Sequence, residues 1–117
     1  MTGIMYDPRL DTTATADGIE IGVMAGAPGT VRVCVSGEID LHTAAVLHDT
    51  LLIALASHRA TLLLDLRRVA FCDCAGLNAL LAAGEAARRA GRELRITAAG
   101  RPVRRLLQLT DTTVVFT

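Results

Sequence analysis

The stretch Phe71-Cys72-Asp73-Cys74-Ala75-Gly76-Leu77 gathers the residue types with the widest chemical scope in this chain. A leucine-rich run precedes it and a helical pattern follows, so it sits where a strand hands over to a helix. The first backbone N–H groups of that helix have no intrahelical partner, and the helix dipole is positive there. Asp73 can cap them. A phosphate on a neighbouring side chain would be favoured by the bare amides and opposed by Asp73. Such a turn suits a surface that a partner reads differently before and after an anion is added. The plainer reading makes Asp73 a helix cap and Gly76 a packing glycine. The thiols of Cys72 and Cys74 offer redox chemistry as a further option. A helix N-terminus lowers a thiol pKa, and the adjacent Asp73 opposes this. A Cys72–Cys74 bridge would close a small strained ring, while a bridge from Cys74 to Cys34 or between chains stays open. Three cysteines leave at least one thiol unpaired or shared between chains.

Other chemistries find little support. There is no G-x-S-x-G elbow and no P-loop. A zinc site is not expected: structural zinc wants four ligands, and beyond one C-x-C there are only the distant Cys34 and His42, His48 and His58. The cluster Arg88, Arg89, Arg92, Arg95, Arg101, Arg104 and Arg105 could hold an acidic partner or a phosphate, and reads first as solvated helix faces. All 12 basic residues are arginine, and 12 acidic residues cancel them to a net charge of +0. Direct nucleic-acid binding is therefore not expected. No secretory signal is read in residues 1–17, and no apolar run is long enough to span a membrane. The expectation is a cytoplasmic protein with reduced thiols. No cofactor is implied.

Positioning these residues requires a small α/β frame. The 117 residues support one domain, and with 3% aromatics its core must be aliphatic. Residues 1–17 have no period and are expected to be a flexible tail, leaving a domain over 18–117. Ile19–Val23 and Val31–Val35 alternate apolar and polar residues and predict a strand hairpin across Gly26-Ala27-Pro28-Gly29. A helix is predicted over about 43–57, with Ala44, Leu47, Leu51 and Leu55 as its buried stripe and Asp40 or Thr43 capping it. Thr61–Leu66 reads as a buried central strand and 69–73 as a short connection. A second helix over 76–90 stops at Gly91. A strand over 94–98, a helix over 101–109 with Pro102 in its first turn, and a closing strand over 114–116 complete the order β-β-α-β-α-β-α-β. The predicted fold is a mixed sheet of four to five strands with helices mainly on one face.

Ser36-Gly37-Glu38-Ile39-Asp40 before the first helix, then Leu63-Leu64-Asp65-Leu66 and Phe71-Cys72-Asp73-Cys74-Ala75-Gly76-Leu77, resemble the STAS domain, and more narrowly the bacterial anti-sigma factor antagonists. The resemblance runs from about Ile19 onward. It rests on a G-E-(I/L)-D turn after the second strand and a D-(S/T)-(S/T)-G-L turn before the second helix. It implies a STAS fold and a non-enzymatic module that switches partners. Such an antagonist docks on an anti-sigma factor, usually an ATPase of the histidine-kinase type, and releases a sigma factor for transcription. The kinase phosphorylates the first hydroxyl residue after the motif aspartate. By that resemblance Glu38, Asp40, His42, Asp73, Cys74, Ala75, Gly76 and Asn78 would face the partner, and Cys74 stands at the phospho-acceptor position. Neither Cys74 nor Ala75 carries a hydroxyl, so Ser/Thr phosphorylation is not available at this turn. Three consequences compete: an antagonist that is always competent, a thiol switch at Cys72 and Cys74, or a retained fold without the kinase partnership. Homodimer formation stays open.

Overall fold

The computed structural model describes the backbone of residues 3–7 and 10–109, with side chains at 15 and from 17 onward. The elements are β1 (Gly3–Asp7), β2 (Leu10–Ala16), β3 (Ile19–Ala25), β4 (Thr30–Ile39), α1 (Ala44–Ser57), β5 (Thr61–Cys72), α2 (Cys74–Arg89), β6 (Leu94–Ala99) and α3 (Arg101–Leu109). The six strands lie in chain order β1-β2-β3-β4-β5-β6. The first four pair antiparallel, and β4, β5 and β6 are parallel. Parallel neighbours need crossovers, which α1 and α2 supply. The three parallel strands therefore deliver the starts of α1, α2 and α3 to one end of the sheet.

Alternation decides which face carries the helices. Ile19, Ile21 and Val23, then Val31, Val33 and Val35, then Leu62, Leu64 and Leu66 point to one side, where they form a single cluster with Leu47, Leu51, Leu80, Val103 and Leu107 of the helices. The opposite face presents Glu20, Arg32 and Arg67 to solvent. The mixed α/β architecture, with helices on one face, is the one expected from the sequence.

The sheet is wider than expected. Residues 3–7 and 10–16, assigned above to a flexible tail, form strands that continue it beyond β3. An unpaired β3 would expose a row of backbone donors and acceptors. Thr12, Thr13 and Thr15 suit a strand without producing a hydrophobic period. The central strand is also longer than expected: β5 runs on through 67–72 and takes in most of the expected connection. Asp65-Leu66-Arg67-Arg68 spans what Cys34-Val35-Ser36 spans on β4, so β5 carries a one-residue bulge. The bulge sends Arg67 and Arg68 outward together and returns Val69 to the core. The Arg67 guanidinium and backbone N–H donate to the Asp65 carboxylate, at 2.6–3.1 Å. That bonding holds the Asp65 carboxyl below its ordinary range. Helix α2 starts at Cys74, two residues earlier than predicted. The closing strand predicted over 114–116 lies outside the described residues.

Candidate functional site

Two turns build the site, and the end of β4 lies beside the end of β5. Ile39 is the register partner of Cys72. The Asp73 N–H donates to the Ile39 carbonyl at 3.1 Å, tying the second turn to the first. Gly76 completes the junction. A Cβ there would lie 2.5 Å from Ile39 Cγ2 and 2.7 Å from the Ile39 carbonyl oxygen. Only glycine lets the first turn of α2 approach the last residue of β4 this closely. Gly37 fixes the other turn. Its φ is +101°, and a Cβ would lie 2.2 Å from the Gly18 carbonyl oxygen. With both turns in place, Asp40 and Cys74 share one corner.

The Asp40 carboxylate closes its own turn. Its Oδ1 accepts the N–H groups of His42 at 2.9 Å and Thr43 at 3.1 Å. The Thr43 hydroxyl, 3% exposed, donates to the Glu38 carbonyl at 2.7 Å and accepts the Asp40 N–H at 2.9 Å. Of the two caps expected for α1, Asp40 thus provides side-chain acceptance, while Thr43 holds the cap position without a side-chain bond to the helix. At the second turn Asp73 Oδ1 accepts the Gly76 N–H at 3.0 Å, the cap expected from the sequence.

Glu38, His42, Cys74 and Asn78 are exposed, and Asp40, Asp73 and Ala75 are half-buried. Gly76 is buried beneath Ile39, so it positions the corner and offers no contact surface, contrary to its expected place among the partner-facing residues. Two residues missing from the expected set join the corner. Leu41, between Asp40 and His42, is 75% exposed, and Phe71, the register partner of Glu38, is 47% exposed. The signal that would have found them is a large apolar side chain inside a polar turn.

The cysteines separate in character. Burial pushes the Cys72 thiol up to about 11, with Asp73 and Cys74 adding to the rise. Cys72 therefore stays protonated, the opposite of a reactive thiolate. Cys74 is exposed, and all three thiols are free. Cys34 lies opposite Asp65, five residues along β4 from Ile39. At about 3.3 Å per residue that puts it far beyond disulfide reach of the corner, which removes the Cys34–Cys74 bridge. Among the described residues no cluster of His, Cys, Asp or Glu could hold a metal, and no helix is long and apolar enough to cross a membrane. A depression of about 760 Å³ lies at the other end of α2, lined by Leu81, Gly84, Glu85, Arg88, Arg92 and Leu94. Its arginines are engaged internally, Arg88 with Glu85 and Arg92 with the Leu55 and His58 carbonyls.

The fold and this corner define a class. The family model described as Mlab, STAS domain matches residues 24–115, and the chain belongs to the STAS domain family. Among solved structures it is similar to an anti-sigma factor antagonist from Mycobacterium paratuberculosis, at 31% identity and a TM-score of 0.73, over 87% of this chain and 86% of that one. The anti-sigma factor antagonist SpoIIAA in its unphosphorylated form matches with a TM-score of 0.68 at 17% identity, over 83% of this chain and 85% of that chain. The Bacillus cell fate determinant SpoIIAA in its phosphorylated form matches with a TM-score of 0.63 at 16% identity, over 83% and 88%. At those identities the two SpoIIAA structures speak for the fold alone. No curated protein matches the chain.

Proposed function

We propose that this protein is an anti-sigma factor antagonist that acts by docking, without catalysis, and that its contact corner is not switched by phosphorylation at the α2 turn. The observation that carries the reading is the Asp73–Ile39 hydrogen bond, which sets Asp40 and Cys74 on one exposed corner with Leu41 and Phe71 beside them. The likeness to the mycobacterial antagonist supports it. Leu41 and Phe71 supply exposed apolar area for the core of an interface. Among the described residues the turn engages Asp40 through Oδ1 alone, which leaves the other oxygen to meet a basic residue on the partner. The partner is an anti-sigma factor, of the histidine-kinase-like ATPase type, and its capture frees a sigma factor for transcription in the cytoplasm.

Affinity capture from native cytoplasm tests this. Asp40→Asn is the control of choice, because an asparagine oxygen still accepts the His42 and Thr43 N–H groups while the charge is gone. The expected result is an anti-sigma factor held by the wild type and lost with Asp40→Asn. Retention of the same proteins by both would overturn the assignment of Asp40.

A second reading is a redox-controlled antagonist. Cys74 favours it by exposure, whereas the protonated Cys72 does not. Oxidation with hydrogen peroxide before capture separates the two: unchanged capture after Cys74 has been oxidised excludes thiol control.

A further inference from the structure

The arginines of α2 and α3 are placed by opposite rules. Arg88 and Arg89 occupy the last turn of α2, where the helix dipole favours cations, and both pair with Glu85. On α3, Arg101, Arg104, Arg105 and Gln108 fall at i, i+3, i+4 and i+7, a single exposed stripe opposite the buried Val103 and Leu107. Arg101 stands at the first position, where the dipole disfavours a cation, and α3 has no acidic residue in its first turn. None of the three arginines makes an ion pair with a described residue. Like charges at these spacings destabilise a helix. The stripe therefore runs against the helix's own electrostatics, which a merely solvated face has no reason to do.

The stripe also sits on one side of a polarised molecule. Among the described side chains, residues 17–50 carry one arginine and five carboxylates, and residues 51–109 carry ten arginines and four carboxylates. Because the strands lie in chain order, this division becomes a gradient across the sheet. The Gly100 N–H that precedes α3 donates to the Leu66 carbonyl, which fixes the start of the stripe against β5. Leu66 pairs with Ala99, and the stretch from Leu66 to Cys72 spans about four residues of the bulge-free β4, so the stripe is set back from the corner by about 13 Å. A standard interface of about 800 Å² per partner is roughly 30 Å across and spans both.

We infer that Arg101, Arg104 and Arg105 form a second contact zone for an acidic patch on the same anti-sigma factor that meets Asp40 through a basic one, and that this zone speeds and orients docking. The inference rests on the function proposed above. An acidic protein face fits better than a nucleic acid, because a phosphate backbone covering both the stripe and the corner would meet Glu38, Asp40 and Asp73, whereas a protein can present a basic group to them.

The test uses the anti-sigma factor recovered by Asp40-dependent capture. With Arg104→Glu/Arg105→Glu, the association rate at about 0.05 M salt should fall about tenfold with little change in dissociation, and the difference should vanish near 1 M salt. Arg101→Glu should slow association and at the same time raise the melting temperature. Arg88→Glu on α2 should leave association nearly unchanged. Equal rates for the reversed and wild-type proteins would overturn the zone while leaving the docking corner intact. An equal loss with Arg88→Glu would reduce it to unspecific steering, and a lower melting temperature for Arg101→Glu would make the stripe structural; either outcome overturns the inference. Tight binding of a DNA or RNA duplex, abolished by the same reversal, would also overturn it. Failure to recover any anti-sigma factor would remove the proposed function and this inference together.

Discussion

Cys74 occupies an exposed helix start whose amides could favour an anion, yet it has no hydroxyl to carry one. Cys74→Ser restores the acceptor while leaving the Asp73 cap, which lies one residue earlier, untouched. Incubated with ATP and a kinase-type partner, Cys74→Ser should gain one phosphate by intact mass, whereas the wild type should gain none at this turn. The added charge of nearly −2 sits beside Asp73 and should weaken docking by on the order of 100-fold. Phosphate on residues 73–78 of the wild type would refute the unswitched reading. The two thiols of the C-x-C provide a second measurement. Because the folded protein holds Cys72 up at about 11, alkylation at neutral pH should label Cys74 first. Cys72 should follow only as pH climbs toward that value. Its native state retains a proton that the unfolded chain loses near the ordinary thiol pKa, so this group withdraws stability as pH rises from about 8.5 toward 11. The caps by Asp73 and Asp40 were legible from residue type and position alone. The difference between Cys72 and Cys74 was not legible, since it depends on burial that two positions in a C-x-C do not disclose.

The meeting of β4, β5 and α2 rests on Gly76. A methyl group there would overlap both the side chain and the carbonyl of Ile39. That carbonyl also accepts the Asp73 N–H. Gly76→Ala should therefore cost about 1–3 kcal/mol, the usual range for overpacking. The melting temperature should drop by several degrees, and partner capture should weaken because the two turns separate. A thermal melt with no change would show that Ile39 yields freely and that the close approach has no structural weight. Strong periods made the parallel half of the fold readable: the valines at 31, 33 and 35, the leucines at 62, 64 and 66 and the helical stripe of Leu47, Leu51 and Leu55 are all buried. Where a bulge resets the alternation, as at Arg67-Arg68, period reading stopped and β5 was cut short. Leu41 and Phe71 were missed for a related reason, since a single apolar residue in a turn makes no pattern.

Sheet order equal to chain order gives the molecule a vulnerable side. In the parallel half each strand is locked by a helix crossover, and the described core cluster begins only at Ile19. The outer hairpin of β1 and β2 is held by its pairing with β3. Its threonines and alanines carry little hydrophobic signal, which is why their composition read as a tail, although Asp17-Gly18 between Ala16 and Ile19 is a hairpin dipeptide. Removing residues 1–17 should leave the core and the docking corner folded, because Gly18, whose carbonyl accepts the Glu38 N–H, is kept. It should also turn β3 into an open edge with alternate apolar residues and a full row of unpaired backbone groups. The expected outcome is a modest fall in melting temperature, retained Asp40-dependent capture, and concentration-dependent self-association in sedimentation that full-length protein does not show. A shortened chain that stays monomeric would mean that β3 tolerates exposure. One that fails to fold would mean that the hairpin contributes a substantial part of the stability, even though no described core residue lies within it.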